Sequence, residues 1–152
     1  MAIKVTESDV SVLPEYGRVP ITFRVDCIFR VEPIDGGLGG LSLREEPVAE
    51  PYDKDYDEGD TATRFQRWRR WDLSNWRVLM AYDKERLVGG AVLAFDTEGV
   101  NMLEGREDLC MLWDLRVHPD RRREGIGTAL FRRAVEVARA AAPRGSRSTR
   151  RT

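Results

Sequence analysis

Histidine and cysteine are the scarcest chemistry-bearing side chains here: one histidine and two cysteines stand among 152 residues. Two cysteines cannot build a disulfide framework. Cys27 and Cys110 also sit in apolar, strand-like runs, where a free cysteine behaves as a small core residue. The lone His118 and two distant cysteines offer no zinc-ligand spacing, so no metal is expected. Net charge is scarce as well. The 25 Lys and Arg against 26 Asp and Glu leave −1, which gives no overall attraction to nucleic acid or to an anionic membrane. No apolar run approaches the roughly 20 residues of a membrane span. The first residues, Met1 to Thr6, lack the apolar core of a signal peptide, so a cytoplasmic address is expected.

What is present describes a rather polar globular chain, 41% hydrophobic and 34% charged. Its length suits one domain with a sizeable core, over residues 1–142. Residues 143–152 are basic and small, without apolar periodicity, and are expected to be a disordered tail. Residues 1–20 are weakly patterned. From Ile21 to Val31 the chain alternates, with Ile21, Phe23, Val25, Cys27, Phe29 and Val31 on one face, which predicts a half-buried strand. Gly36 to Gly40 reads as a flexible turn, because Ser42 stands where a dinucleotide loop needs its third glycine. Leu41 to Ala62 reads as acidic and irregular. Asp53 to Gly59 resembles the start of a calcium loop, but Arg64 occupies the twelfth position, where a bidentate Glu is required.

Phe65, Trp68 and Trp71 recur at three-residue spacing among Arg64, Arg67, Arg69 and Arg70. Aromatics between arginines can stack on bases. With a neutral chain and an acidic stretch close by, a helix laying an aromatic stripe on a sheet is the better reading. Trp76 to Tyr82 and Arg86 to Phe95 form an antiparallel hairpin around Asp83-Lys84-Glu85, and Gly89-Gly90 suggests a bulge or a close backbone approach. Leu109 to Val117 is a further strand, with Met111, Trp113, Leu115 and Val117 on one face. A helix follows from Gly125 to Ala142, with Ile126, Leu130, Ala134, Val137 and Ala141 as its apolar stripe, ended by Pro143.

The chemistry concentrates between Asp114 and Leu130: a buried strand, a turn dense in arginine and glycine, then a helix. Gly125 and Gly127 let a ligand approach the backbone. The amides of Arg123 to Thr128 include the unpaired donors of a helix's first turn, at the positive end of its dipole. Arg121, Arg122 and Arg123 add full charges. This is a socket for a phosphate or pyrophosphate.

Arg122-Arg123-Glu124-Gly125-Ile126-Gly127, after a strand ending at Val117 and the connection His118-Pro119-Asp120, resembles the signature of the GNAT N-acetyltransferases. Leu112 to Val117 is also similar to their streptothricin-acetyltransferase-like branch. The resemblance covers about Val19 to Ala142. It implies an α/β (α+β) fold: a mixed, mostly antiparallel central sheet flanked by helices. It implies acetyl-CoA as acetyl donor, an amine acceptor and no metal. By the same resemblance Arg122, Arg123, Glu124, Gly125, Ile126, Gly127 and Thr128 hold the pyrophosphate. Arg116 and Val117 bond the pantetheine amides as an added strand would. The backbone N–H nearest Leu115 stabilises the carbonyl oxygen in the transition state.

An acceptor amine near pKa ~10.4 is mostly protonated at neutral pH, so a base is needed. Asp114 is the candidate on the central strand, with a structural carboxylate as the equal alternative; Glu104 and Glu107 stand behind it. Tyr16, Tyr52, Tyr56 and Tyr82 are the four tyrosines, and none occupies the family's usual general-acid position. GNAT proteins normally continue with a strand, a helix and a closing strand, whereas Arg144 to Thr152 resembles none of these. The C-terminally truncated pattern implies an open edge at Leu109 to Val117 and oligomerisation through it. It also keeps a second function open: an acyl-CoA-binding or oligomerising module without catalysis.

Overall fold

The computed structural model describes residues 2–58 and 60–141. The chain divides into two compact units, Met1–Ile21 with Asp57–Thr152, and Thr22–Tyr56. In the larger unit, strands β1 (Ile3–Ser8), β4 (Arg77–Asp83), β5 (Arg86–Phe95) and β6 (Cys110–Val117) form one sheet in the order β1-β4-β5-β6. Helices α1 (Leu13–Tyr16), α2 (Thr61–Trp68) and α3 (Ile126–Ala141) belong to the same unit. The smaller unit is a two-stranded hairpin of β2 (Thr22–Pro33) and β3 (Leu41–Asp55). Every pairing among the described residues is antiparallel. The proposed tail of residues 143–152 and the stop at Pro143 lie outside the described residues.

Period-two patterning splits the central sheet's side chains between two cores. Val78 and Met80 of β4, with Val92 and Ala94 of β5, pack with Leu13 and Tyr16 of α1 and Phe65 and Trp68 of α2. Leu79 and Ala81, with Ala91 and Leu93, meet Ile126, Leu130, Ala134 and Val137 of α3. Those four helix residues recur at spacings of three and four, the stripe a helix needs to lie on a sheet. Ala141, expected in that stripe, is exposed.

All four tryptophans gather in the first core. Trp113 stands 5.0 Å from both Trp71 and Trp76, ring centre to ring centre, and Trp68 lies 6.1 Å from Trp76. The indole N–H groups of Trp76 and Trp71 donate to Thr97 Oγ1 at 2.9 Å and the Gly99 carbonyl at 3.2 Å. The aromatic stripe of α2 is therefore core, as its spacing predicts.

Three sequence expectations need correction. The weakly patterned start contains β1, a six-residue strand paired with β4. Leu41–Asp55, expected to be irregular, is strand β3; Pro47 pairs with Cys27 beside a register shift and Pro51 lies in an unpaired run, the kind of position prolines tolerate. The expected burial of the Ile21–Val31 face holds at Val25, 8% exposed, and fails at Phe29 and Val31, 64% and 56% exposed.

Gly89 and Gly90 are the close approach that their sequence suggests. The ladder shifts register beside Gly89. At Gly90 a Cβ would sit 2.5 Å from Tyr16 Cε2 and 2.7 Å from the Leu79 carbonyl oxygen. One contact is a packed ring and the other backbone, so neither yields cheaply. Gly90→Ala is expected to cost about 1–3 kcal/mol, the usual range for overpacking. A urea unfolding midpoint matching wild type would contradict this.

Candidate active site

The site lies at the end of β6 and is set by an irregularity in that strand. Val92 pairs with Asp114 but Leu93 pairs with Leu112, so Trp113 is an extra residue in the ladder. A bulge of this kind re-aims the side chains after it. Met111 and Trp113 face the α2 core; past the bulge Asp114 and Arg116 face that side too, while Val117 packs towards α3. The regular alternation expected from Met111 to Val117 is broken there.

Arg116 is 2% exposed and fully bonded. Its Nε donates to Asp114 Oδ2 at 2.9 Å, and Nη1 donates to Asp57 Oδ2 at 2.9 Å and to the Val19 carbonyl at 3.0 Å. The guanidinium lies 4.8 Å from the Tyr16 ring centre. Tyr16 O–H donates to Asp114 Oδ2 at 2.5 Å. Arg64 Nη1 donates to Asp57 Oδ1 at 3.0 Å, and its Nη2 lies 3.5 Å from Asp114 Oδ1. Two arginines thus face two carboxylates and one phenol. Burial opposes the Arg116 charge, but Tyr16, Asp114 and Asp57 more than offset it and raise its pKa above the ordinary arginine value.

Burial, and then the charge of Asp114, hold the Tyr16 phenol well above the usual tyrosine pKa. Its hydrogen is committed to Asp114. Asp114 in turn accepts bonds from Tyr16 and a permanently charged arginine, the geometry of a structural carboxylate. Asp57, which the sequence reading left in an acidic loop, is a buried member of this network. The signal was a charged Arg116 in a strand otherwise built for burial: such a charge needs buried acids.

The main chain of β6 serves a different purpose. His118 N–H donates to the Val88 carbonyl at 2.8 Å, so alternation turns the main-chain groups of Arg116 towards β5 and those of Leu115 and Val117 away from it. On that far side no strand pairs with β6 among the described residues. Leu115 and Val117 therefore sit on an open edge, as expected. Arg116 does not: its side chain is buried and its main chain is used inside the sheet.

Past Val117 the turn prepares the start of α3. Arg123 and Gly125 take left-handed φ values of 67° and 86°. For Arg123 this costs about 1–2 kcal/mol, so some strain is stored in this turn. The first intrahelical donor is Ala129, whose N–H bonds the Gly125 carbonyl at 3.0 Å. The amides of Ile126, Gly127 and Thr128 precede that ladder, and Gly125 has no side chain with which to cap them. A Cβ on Gly127 would sit 3.7 Å from Val117 Cγ2, within the space between strand end and helix.

The charge around the turn is less than the sequence suggests. Arg121 bonds Asp83 at 3.0 Å and Glu124 at 2.8 Å, which ties the turn to β4 and occupies Glu124. Arg122 is half-buried, with Nε donating to the Val117 carbonyl at 3.2 Å, and Arg123 is exposed. Amides, glycine and two arginines fit a diphosphate here, and the open edge beside them fits an extended amide chain.

A cavity of about 770 Å³ opens between α1, α2 and the loop before β4, with Asp9, Phe65, Trp71 and Asp72 in its lining. Asp9 and Asp72 are held below the usual carboxylate pKa by hydrogen bonds from Ser11 and Ser74. Glu107 lines a separate cavity with Glu7 and Arg133. Among the described residues no group of three or more His, Cys, Asp or Glu is placed to hold a metal ion.

Residues 42–147 match the sequence profile of the Acetyltransferase (GNAT) family. The chain is similar to the crystal structure of nourseothricin acetyltransferase: 26% identity, TM-score 0.62, over 93% of this chain and 69% of that one. It shares its fold with a streptothricin acetyltransferase from Bacillus anthracis str. Ames in complex with acetyl coenzyme A: 17% identity, TM-score 0.58, over 91% of this chain and 69% of that one. No curated protein matches the chain closely enough to count as a relative.

Tyr16 carries a signed pH dependence. With its folded pKa above its unfolded value of about 10, its contribution is complete below pH ~10 and is lost as pH rises towards the folded value. Urea midpoints should therefore fall from pH 10 upwards, and fall less steeply in Tyr16→Phe; identical alkaline limbs would contradict the buried phenol. Arg116→Met, which leaves two buried carboxylates short of a partner, is expected to cost about 3–5 kcal/mol in the same assay.

Proposed function

The chain belongs to the GNAT family of acetyl-CoA-dependent acetyltransferases, and from that premise we propose that it acetylates a primary amine of a small molecule, nourseothricin or a relative of it. The reading rests on one juxtaposition: the uncapped amides of Ile126 to Thr128 beside the open edge of Leu115 and Val117. The small-molecule part is supported by the 26% identity to nourseothricin acetyltransferase over 93% of this chain.

Acetyl-CoA, when bound, supplies the activated acetyl group. The chain's own residues would bind and orient it. The amides of Ile126, Gly127 and Thr128, with Arg122 and Arg123, would bind the diphosphate at the positive end of the α3 dipole. Val117 would align the pantetheine arm through edge hydrogen bonds. The Leu115 N–H would donate to the acetyl carbonyl oxygen, a fixed dipole worth a few kcal/mol where negative charge grows.

Asp114 and Arg116 take positioning roles in this reading. Their bonds to Tyr16 and Asp57 hold the bulge, and the bulge sets which way Leu115 faces. In this reading Asp114 is a structural carboxylate, held by Tyr16 and Arg116. The acceptor would enter the cavity bounded by Asp9, Phe65, Trp71 and Asp72, where the two carboxylates suit a cationic amine and Arg69 stands on the same wall.

Calorimetry should show CoA and acetyl-CoA binding with micromolar dissociation constants, and Gly127→Trp, with the circular dichroism spectrum of wild type, should weaken both at least ~100-fold. Thiol release from acetyl-CoA should then depend on an added amine, nourseothricin among a panel. Absence of binding by wild type would refute the socket. Binding without acetyl transfer to any amine would favour the non-catalytic module.

A further inference from the structure

The hairpin β2–β3 has an apolar face that its sequence patterns for burial and that the chain leaves bare. From Cys27 to Pro33 its pairing is regular: Phe29 faces Glu45, Val31 faces Leu43 and Pro33 faces Leu41. These side chains share one face. Phe29, Val31, Leu41 and Leu43 are 64%, 56%, 71% and 67% exposed, and Leu38 at the tip is 97% exposed. The opposite face is charged and already self-satisfied. There Arg30 pairs with Glu46 at 2.8 Å, and Arg44 with Glu32 and Glu46 at 2.8 and 2.6 Å. Ile28, 42% exposed, is the one large apolar side chain among these charged positions.

We propose that this face is a homodimer interface, two hairpins stacking apolar side to apolar side across a two-fold axis. A two-stranded ribbon is marginal in water unless its apolar face is covered. Two such ribbons placed about 10 Å apart cover each other as the layers of a sandwich do. The area suffices. Taking roughly 150 Å² for a fully exposed large apolar side chain, Phe29, Val31, Leu41 and Leu43 with the exposed Pro33 and Pro47 of the same face present on the order of 500 Å² per copy. Two copies bury about 1,000 Å² before any polar rim is counted, the level that a specific interface has to reach.

The charge pattern selects a second copy over a lipid surface. Glu45 is the only charged residue among the paired positions Cys27, Phe29, Val31, Pro33, Leu41, Leu43, Glu45 and Pro47, and no lysine or arginine is there to meet anionic lipid. In a two-fold arrangement each Glu45 falls at the rim, where water can reach it. The Val31–Leu43 pair lies between the Pro33–Leu41 and Phe29–Glu45 pairs, so it sits at the middle of the contact. This inference is independent of acetyl transfer, and it leaves the open edge of β6 for the coenzyme.

Sedimentation velocity on the full chain tests it. Wild type is expected at dimer mass at roughly 50 μM, and Leu43→Lys, which places two ammonium groups near the axis, should weaken the dimer at least ~100-fold. Leu43→Met should keep it. Because residue 43 is exposed within one copy, circular dichroism and thermal midpoint at ~1 μM should be the same for all three proteins. A wild-type monomer at ~50 μM would overturn the proposal, and so would a dimer indifferent to Leu43→Lys. A monomer that co-sediments with phosphatidylcholine–phosphatidylglycerol vesicles would overturn it in favour of a lipid surface.

Discussion

A buried guanidinium holds the site in place. Arg116, 2% exposed, bonds Asp114 on its own strand, Asp57 ahead of α2 and the carbonyl of Val19 beyond α1. Segments far apart in the chain are pinned to one point of β6. A buried ion pair of this kind adds little net stability over a well-packed apolar replacement, but half of it is costly to lose. What it supplies is position. With Trp113 looped out as an extra residue and Asp114 and Arg116 turned to the same side, the main chain at Leu115 and Val117 faces the open edge.

That arrangement separates two tasks which the sequence places side by side. The side chains of Asp114 and Arg116 face inward and bond each other, Tyr16 and Asp57. The backbone of Leu115, Val117 and Ile126 to Thr128 faces outward, with fixed donors and no titratable groups. Fixed backbone dipoles need no reorganisation, which suits the proposed contact with a diphosphate and a carbonyl oxygen. The two left-handed residues, Arg123 and Gly125, bend the chain from the strand into the helix so that these donors lie together.

Much of the fold was legible in the sequence, and the exceptions have physical causes. The strands β4, β5 and β6 and the helices α2 and α3 carry strong periods because each has a face against a core, and β2 alternates although Phe29 and Val31 are exposed. Strand β3 was hidden by Pro47 and Pro51, which flank an unpaired stretch of its ladder, and by its acidic side chains. Strand β1 is short, with only Ile3 and Val5 packed against the second core. The glycine-rich helix start with its uncapped amides was readable from residue types alone, since it follows from local chemistry. The buried network was not. A bulge changes the period it would be read from, and Asp57 and Tyr16 reach Arg116 only through tertiary structure. Arg121 likewise looked like part of the socket, but it is bonded to Asp83 and Glu124.

The central claim is that main-chain donors of β6 and α3, and not the acidic side chains nearby, receive the coenzyme. Backbone amide chemical shifts followed through a titration with CoA test it most directly. The account predicts the largest changes at Leu115, Val117, Gly127 and Thr128, with the amides around Asp57 and Tyr16 nearly still. Large shifts at the buried network with silent amides at Gly127 and Thr128 would contradict it.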